Sequence, residues 1–228
     1  MSLHVVVVPG LGAVGYLQRF AAAVRARGAR CTVLDLPGLR QRPLVCEPTV
    51  QGLGFAAAER VLGLDDEHVV LMGHSTGAQA ALHAAAWVEQ VRPLAGLVLA
   101  GPTVAPTQRS LWQLALRAPR AYRRDSPREL LDIVELARAP AAVVRLVRSG
   151  VADRPEATIT KVVAPVTVTA GRADALAPRW WRHVLVAQAI RASGRRDIEL
   201  PGSHNNPFTH PGQLADVAVS APAAARAR

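Results

Sequence analysis

The sequence predicts an α/β domain with a doubly wound, mostly parallel sheet and a helical lid inserted before the strand that carries a candidate acid. Two observations support this prediction. Short, almost continuously apolar segments alternate with segments of helical spacing, which is typical of parallel strands covered on both faces. The stretch 106–155 breaks the alternation, because it contains helical patterns and no strand candidate.

The predicted strands are short, rich in β-branched residues and followed by turn residues. They cover His4–Val8, Arg30–Asp35, His68–Met72, Leu94–Ala100, Val162–Ala170 and Asp197–Leu200. The predicted helices of the main body cover Tyr16–Arg27, Thr49–Leu62, Thr76–Val91, Trp180–Ala192 and a C-terminal segment from about Gly212. Those of the lid cover Leu111–Leu116, Pro127–Leu136 and Ala141–Val147. We therefore expect one domain over residues 1–228, with a lid at 106–155 and a flexible tail at 220–228.

Composition limits the classes of partner. The net charge of +10 could attract nucleic acid, but Lys161 is the only lysine and the arginines are scattered, without interleaved aromatic residues. We therefore predict no nucleic-acid partner. No apolar run reaches the roughly 18 residues that a membrane span needs. Two cysteines, Cys31 and Cys46, are too few for a disulfide framework, and no signal peptide pattern is present, so we expect a cytoplasmic protein.

The segment Gly73–Gly77, GHSTG, stands between a predicted strand and a predicted helix. In this context the pattern G-x-S-x-G indicates a nucleophilic serine on a very tight turn. Glycines on either side let the strand and the helix pass closely, and the helix N-terminus supplies N–H groups for a developing oxyanion. Such a motif also arises by chance in a chain rich in glycine and alanine, but the strand before it and the helix after it favour Ser75 as a nucleophile.

A serine nucleophile needs a base and an acid that orients the base. Asp174 lies just beyond a predicted strand, and His204 lies in the loop after the last one. Because open parallel sheets gather their sites at the carboxyl ends of the strands, we expect Ser75, Asp174 and His204 to meet there. His210 is a rival base but lies farther from its strand, and Asp153 is a rival acid that follows no strand.

Several motifs together resemble those of the α/β-hydrolase superfamily. They are PGLG at 9–12, DLPG at 35–38, GHSTG at 73–77, GRAD at 171–174 and GSH at 202–204. The resemblance implies a sheet of eight strands, or one fewer, a helical cap, and catalysis by Ser75, Asp174 and His204 without a metal or other cofactor. It also implies that the backbone N–H groups of Leu11 and Thr76 form the oxyanion hole, although Pro9 stands where many relatives carry histidine.

These features predict a serine hydrolase that cleaves a carboxylic ester or thioester through a covalent acyl-enzyme. Two alternatives stay open: an acyltransferase, cyclase or thioesterase that releases a carrier-bound acyl chain in a biosynthetic pathway, and a non-catalytic protein of the same fold that binds a ligand. The expected partner is a small acyl substrate, either free or joined to a carrier or coenzyme A.

Three further predictions concern the surroundings of the site. Trp112, Tyr122 and Phe208 are candidates for the pocket wall, because lid and loop aromatics often line such pockets. The lid carries an excess of arginine that could draw an anionic substrate, although a solvated helical face in an arginine-rich protein is the favoured interpretation. His74 is expected to point into the sheet and to pack there, not to act as the base.

Overall fold

The computed structural model describes residues 3–66, 68–121 and 136–226. In this part of the chain one sheet contains six strands, all parallel, in the order β2-β1-β3-β4-β5-β6. The strands are β1 His4–Val8, β2 Arg30–Val33, β3 Val69–His74, β4 Gly96–Ala100, β5 Val166–Gly171 and β6 Arg195–Leu200. The strand order reverses at β1, which pairs with β2 on one side and with β3 on the other. Open parallel sheets bind ligands at such a reversal, beyond the carboxyl ends of the strands.

The fold-class prediction is confirmed, whereas the strand number that the resemblance implied is not. All six strands predicted from the sequence are present, but the described residues contain neither a seventh nor an eighth. On the β1 side the sheet ends at β2, where Arg30 and Thr32 are exposed and Cys31 is buried. Alternation of this kind is typical of a strand with one buried and one solvated face, and a charged side chain such as that of Arg30 is common on edge strands.

Helices cover both faces of the sheet. They are α1 Gln18–Arg25, α2 Val50–Leu62, α3 Thr76–Val88, α4 Leu111–Ala121, α5 Pro140–Ala152, α6 Pro155–Thr158, α7 Arg179–Gln188, α8 Asn206–Thr209 and α9 Pro211–Val219. Short 3-10 helices lie at Gly15–Leu17, Pro106–Gln108, Ile159–Lys161 and Ala221–Arg226. Among the helices described, none is long and apolar enough to cross a membrane.

The core consists of two apolar layers, one on each face of the sheet. Val6 and Val8 of β1 belong to the layer that α2 and α3 cover, while Val5 and Val7 belong to the layer that α1 and α9 cover. This alternation along one strand is the period-two pattern of a sheet that is buried on both sides. It explains why the strand reads as an uninterrupted run of valine.

The helix ends differ from the predicted ones by a few residues. The helix predicted from Tyr16 begins as the 3-10 helix Gly15–Leu17 before α1, and α3 ends at Val88. β3 extends to His74, because parallel pairing with β4 continues to that residue. This extension brings β3 directly to the GHSTG turn.

The segment between β4 and β5 is helical in its described parts. α4 and α5 contain two of the predicted lid helices, whereas most of the third, Pro127–Leu136, lies outside the described residues. Several hydrogen bonds attach α5 to the main body. Among them, the Val50 N–H donates to Ser149 Oγ (2.9 Å), and Gln79 Nε2 donates to the Gly150 carbonyl (2.9 Å). α5 therefore lies against α2 and α3, and α3 is the helix that follows Ser75. A lid function for 106–155 stays a prediction.

The first residues of the tail at 220–228 contact the sheet, and the flexibility of this tail stays a prediction. Ala221 is buried beside Gly96 of β4, and Ala221–Arg226 form a 3-10 helix. The small alanine side chain fits where a residue without a side chain lies opposite. The last two positions lie outside the described residues.

Candidate active site

Ser75 lies on the turn between β3 and α3 in a backbone conformation that non-glycine residues rarely adopt. Its φ is 56° and its ψ is −125°, which costs on the order of 1–3 kcal/mol for a residue with a side chain. The flanking glycines make the turn possible, because a Cβ at Gly73 would lie 2.1 Å from the Gly77 carbonyl oxygen and one at Gly77 would lie 2.3 Å from that of Val8. The strand, the turn and the helix therefore pass each other at backbone contact, as predicted from the sequence.

Three side chains from the ends of β3, β5 and β6 meet at this turn. His204 Nε2 lies 2.9 Å from Ser75 Oγ, and His204 Nδ1 lies 2.9 Å from Asp174 Oδ2. An ionised carboxylate only accepts hydrogen bonds, so Nδ1 carries a proton and donates a hydrogen bond to Asp174. Nε2 then accepts a hydrogen bond from the Ser75 hydroxyl. The structure thus brings together the three residues that the sequence singled out.

The Asp174 carboxylate is held in place by the backbone that follows it. Its Oδ1 accepts hydrogen bonds from the N–H groups of Leu176 (2.8 Å) and Ala177 (3.1 Å). Burial acts to raise the pKa of this group, but His204 and the two N–H donors outweigh burial and hold the pKa of Asp174 below its usual value. The group therefore stays ionised and keeps one oxygen for His204.

The turn after β1 lies against the serine. A Cβ at Gly10 would lie 3.0 Å from Ser75 Cβ, and Leu11, the next residue, has a φ of 49°. Thr76 is the first residue of α3. Among the described residues, neither the Leu11 N–H nor the Thr76 N–H donates to a turn or loop carbonyl.

His74 is buried beneath this arrangement and hydrogen bonds through both ring nitrogens. Its Nδ1 lies 2.8 Å from the Tyr16 hydroxyl, and its Nε2 lies 3.0 Å from the carbonyl oxygen of His204. Burial, with a further contribution from the nearby His204, lowers the pKa of His74 to about 3. The sequence predicted that His74 packs in the sheet and missed its two partners. The signal that could have suggested them is a tyrosine that follows the turn at 9–12 closely.

We expect the neutral state of His74 to be visible in the pH dependence of stability. In the unfolded chain the imidazole binds a proton near its ordinary pKa of 6.5, whereas in the folded protein it does so only near a pKa of about 3. The unfolded state therefore binds more protons between these values, and stability falls as pH falls through this window, by up to about 1.4 kcal/mol per pH unit. Urea unfolding between about pH 6.5 and pH 4 should show wild type losing stability faster than His74→Gln.

The control for this measurement is His68→Gln, at an exposed histidine, which should follow wild type. Asp174, whose pKa is depressed in the folded protein, also loses its stabilising contribution at low pH, but it does so equally in all three proteins. Equal slopes for wild type and His74→Gln would contradict a buried neutral imidazole.

The rival residues are engaged elsewhere. Asp153 is buried between α3 and α5, where it accepts hydrogen bonds from His83 Nε2 (2.9 Å) and Gln79 Nε2 (3.2 Å). His210 Nδ1 lies 2.9 Å from Thr209 Oγ1. None of these partners is Ser75, Asp174 or His204.

Of the three aromatic residues predicted for the pocket, the structure describes Trp112 and Phe208. Trp112 is 72% exposed on α4, and Tyr122 lies outside the described residues. Phe208 packs against the core on the α1 side, and the Arg19 guanidinium carbon lies 4.5 Å from its ring centroid. Contacts with the core and with Arg19 account for Phe208, so a pocket-lining role for it has no support from these contacts.

Two arginines of the predicted lid pair with carboxylates. Arg109 Nη2 lies 2.6 Å and 2.7 Å from the two carboxylate oxygens of Glu156, and Arg145 pairs with Glu47. In residues 3–66, 68–121 and 136–226 there is no group of three His, Cys, Asp or Glu side chains that could hold a metal ion. Arg109 and Arg145 thus form ion pairs within the protein.

Comparison with known proteins places the chain in a family. The model of the alpha/beta hydrolase family matches residues 5–217. Comparison with curated protein sequences finds no significant match. Similar solved structures include a hydrolase from Oleispira antarctica (13% identity, 98% of this chain, 92% of that chain, TM-score 0.77). A second is a type II thioesterase from the yersiniabactin biosynthetic pathway, with 18% identity, 98% of this chain and 94% of that chain covered, and a TM-score of 0.69. A third is a thermophilic esterase from Thermogutta terrifontis, with 19% identity, 95% of this chain and 88% of that chain covered, and a TM-score of 0.65. At these identities the structures show a shared fold, and the family match covers nearly the whole chain. The protein is therefore a member of the alpha/beta hydrolase family.

Proposed function

We propose that this protein is a serine hydrolase that cleaves a carboxylic ester or thioester through a covalent acyl-enzyme. One observation carries the proposal: the His204 ring lies within hydrogen-bond distance, 2.9 Å, of both Ser75 Oγ and Asp174 Oδ2. A nucleophile, a base and an orienting acid linked in this way are what acyl transfer by serine requires.

In the acylation half-reaction, Ser75 Oγ attacks the substrate carbonyl carbon while His204 Nε2 takes the hydroxyl proton. The carbonyl oxygen becomes an oxyanion, which accepts hydrogen bonds from the Leu11 and Thr76 N–H groups. One such donor is worth about 3 kcal/mol of transition-state stabilisation. The tetrahedral intermediate then expels the alcohol or thiol, which takes the proton from His204 Nε2 and leaves the acyl group on Ser75.

In the deacylation half-reaction, a water molecule takes the place of the leaving group. His204 Nε2 removes a proton from this water as its oxygen attacks the acyl carbon, and then returns the proton to Ser75 Oγ as the carboxylic acid leaves. Asp174 accepts the Nδ1–H throughout and stabilises the imidazolium that forms in both halves.

The ion pairs of the predicted lid bear on the class of substrate. Arg109 and Arg145 pair with Glu156 and Glu47, which supports the interpretation that these arginines stabilise the fold and do not bind an anionic substrate. The structural neighbours named as esterase and thioesterase define the two leaving-group classes to be compared first.

Isotopic labelling tests whether water is the acyl acceptor. A series of p-nitrophenyl esters and simple thioesters of rising chain length should be hydrolysed in water enriched in oxygen-18. Each acid product should carry one heavy oxygen when water attacks the acyl-enzyme, as mass spectrometry would detect. A cyclic product, or an ester formed with an added alcohol, would instead identify a cyclase or an acyltransferase.

A fluorophosphonate probe separates the hydrolase from a non-catalytic protein of the same fold. The probe reacts with a serine whose hydroxyl is activated by a base, so it should modify folded protein at Ser75 and should not modify urea-unfolded protein. Peptide mass spectrometry identifies the modified residue. Folded protein that stays unmodified while binding acyl compounds would support the ligand-binding alternative.

A further inference from the structure

We propose that Tyr16 and His74 are a positioning pair that holds the turn after β1 and the loop carrying His204 in a fixed relation to Ser75. The inference rests on the proposed function, because it concerns how the reacting groups are aligned. It starts from three hydrogen bonds that form one continuous chain. The Gly10 N–H lies 2.8 Å from the Tyr16 hydroxyl, that hydroxyl lies 2.8 Å from His74 Nδ1, and His74 Nε2 lies 3.0 Å from the His204 carbonyl oxygen.

The chemistry of the groups determines the direction of each of these three hydrogen bonds. A backbone carbonyl only accepts hydrogen bonds, so His74 Nε2 must carry a proton and donate a hydrogen bond to the His204 carbonyl oxygen. A neutral imidazole has one N–H, so Nδ1 is the acceptor and the Tyr16 O–H donates to it. The Tyr16 oxygen then accepts from the Gly10 N–H. In these three bonds a donor faces an acceptor each time, and a buried polar network that is satisfied stabilises a single arrangement.

The network stays in this state throughout the pH range in which a serine hydrolase works. Both His74 and Tyr16 are buried, and burial keeps the imidazole neutral. The titratable groups that act on His74 are His204, whose ring centroid lies 5.0 Å away, and Asp174. A neutral ring at this place does not oppose the positive charge that forms on His204 during the reaction.

The location of the chain of hydrogen bonds indicates what it aligns. Gly10 precedes Leu11, whose N–H is a proposed oxyanion donor, and His74 precedes Ser75. At the far end the bond is made to the backbone of His204, so its ring is left to contact Ser75 and Asp174. The donor, the nucleophile and the base are thus joined through two side chains that touch no substrate. Displacement of a reacting group by about 1 Å can cost 10²-fold in rate, so loss of this alignment should lower kcat.

The test replaces the Tyr16 hydroxyl by hydrogen. Tyr16→Phe keeps the ring but leaves the Gly10 N–H and His74 Nδ1 without this partner. We expect kcat for a p-nitrophenyl ester to fall about ten- to hundredfold, with KM within about twofold of wild type, because alignment is lost and the binding surface is not. The rate of Ser75 modification by a fluorophosphonate should fall in parallel.

A matched control removes another buried hydroxyl. Thr169 in β5 is buried, and its Oγ1 donates to the Ile198 carbonyl (2.7 Å). Thr169→Val should lower the free energy of unfolding to an extent similar to Tyr16→Phe, while kcat stays within about twofold of wild type. A fall in kcat that follows stability equally in both variants would overturn the proposal.

Two variants of His74 test the other end. His74→Leu removes both hydrogen bonds, whereas His74→Gln keeps an N–H donor near the position of Nε2 for the His204 carbonyl. We expect His74→Gln to retain several-fold more kcat than His74→Leu. Tyr16→Phe combined with His74→Leu should lower kcat by less than the product of the single effects, because both variants break one network. Additive effects, or equal kcat for the two His74 variants, would contradict the positioning role.

Failure of this inference is distinguishable from failure of the proposed function. If Ser75→Ala is inactive while Tyr16→Phe has wild-type kcat, the hydrolase assignment stands and the positioning pair is wrong. If Ser75→Ala is as active as wild type, the hydrolase assignment itself is wrong, whatever Tyr16→Phe does.

Discussion

Ser75→Ala should abolish the turnover of p-nitrophenyl esters, with kcat lower by up to ~10⁶, because the variant lacks the hydroxyl that is proposed to form the acyl-enzyme. The residues of such a group act as one unit, so loss of the nucleophile removes the benefit of His204 and Asp174 as well. The variant should fold, since alanine keeps the Cβ that already tolerates the φ of 56° at this turn. Far-ultraviolet circular dichroism and urea unfolding check the fold, and initial rates measure the loss.

Ser149→Ala is the matched control. Ser149 Oγ also forms hydrogen bonds, from the Val50 N–H (2.9 Å) and to the Leu146 carbonyl (2.8 Å), but it lies on α5 and apart from the proposed nucleophile. Its replacement should change stability and leave kcat within about threefold. Hydrolysis at the wild-type rate by Ser75→Ala would exclude Ser75 as the nucleophile.

The parts of the site that follow strand ends could be predicted from the sequence. GHSTG is a local signal, because the steric requirement for Gly73 and Gly77 arises within the same turn. Asp174 and His204 are distant from Ser75 in the chain, but parallel strands bring their carboxyl ends to one edge of the sheet. Knowledge of strand positions was therefore enough to expect the three residues to meet.

The contacts of Tyr16 and His74 could not be predicted in this way. The bond between these two residues spans 58 positions, and that from His74 to the His204 carbonyl spans 130. Neither is signalled by spacing, since a tyrosine at the start of a helix and a histidine at the end of a strand are also what ordinary packing would produce. Their partners depend on how the turn after β1 approaches the serine, and this approach is a property of the folded backbone.

The prediction of pocket aromatics rested on residue type, which does not determine where a side chain lies. Phe208 follows His204 closely in sequence, but α8 directs it toward Arg19 and the core. Trp112 lies on a helix whose placement depends on packing within the predicted lid, and it is exposed. An aromatic residue has the same composition signal in a core, on a surface and in a pocket, so these assignments required the backbone path.

Asp174→Asn should lower kcat by ~10⁴ without unfolding the protein. The amide oxygen can still accept from the Leu176 and Ala177 N–H groups, which keeps the loop in place. The amide NH2 then occupies the position of Oδ2 and donates to His204 Nδ1, which forces the histidine proton onto Nε2. A protonated Nε2 in a neutral ring cannot accept the Ser75 proton, so the base is lost although the geometry is kept. Steady-state rates with a p-nitrophenyl ester, together with urea unfolding, check both expectations.

Asp153→Asn provides the comparison, because it makes the same chemical change at the other buried carboxylate near α3. Asp153 accepts from His83 and Gln79, and these bonds join α3 to α5 without contact to the His204 ring. Its replacement should therefore affect unfolding more than kcat, which should stay within about tenfold of wild type. If Asp174→Asn kept more than roughly a tenth of the activity while Asp153→Asn lost it, the acid of the catalytic group would be Asp153. The hydrogen bonds of Asp174 to His204 and of Asp153 to His83 favour the opposite result, since only the first of these histidines also reaches Ser75 Oγ.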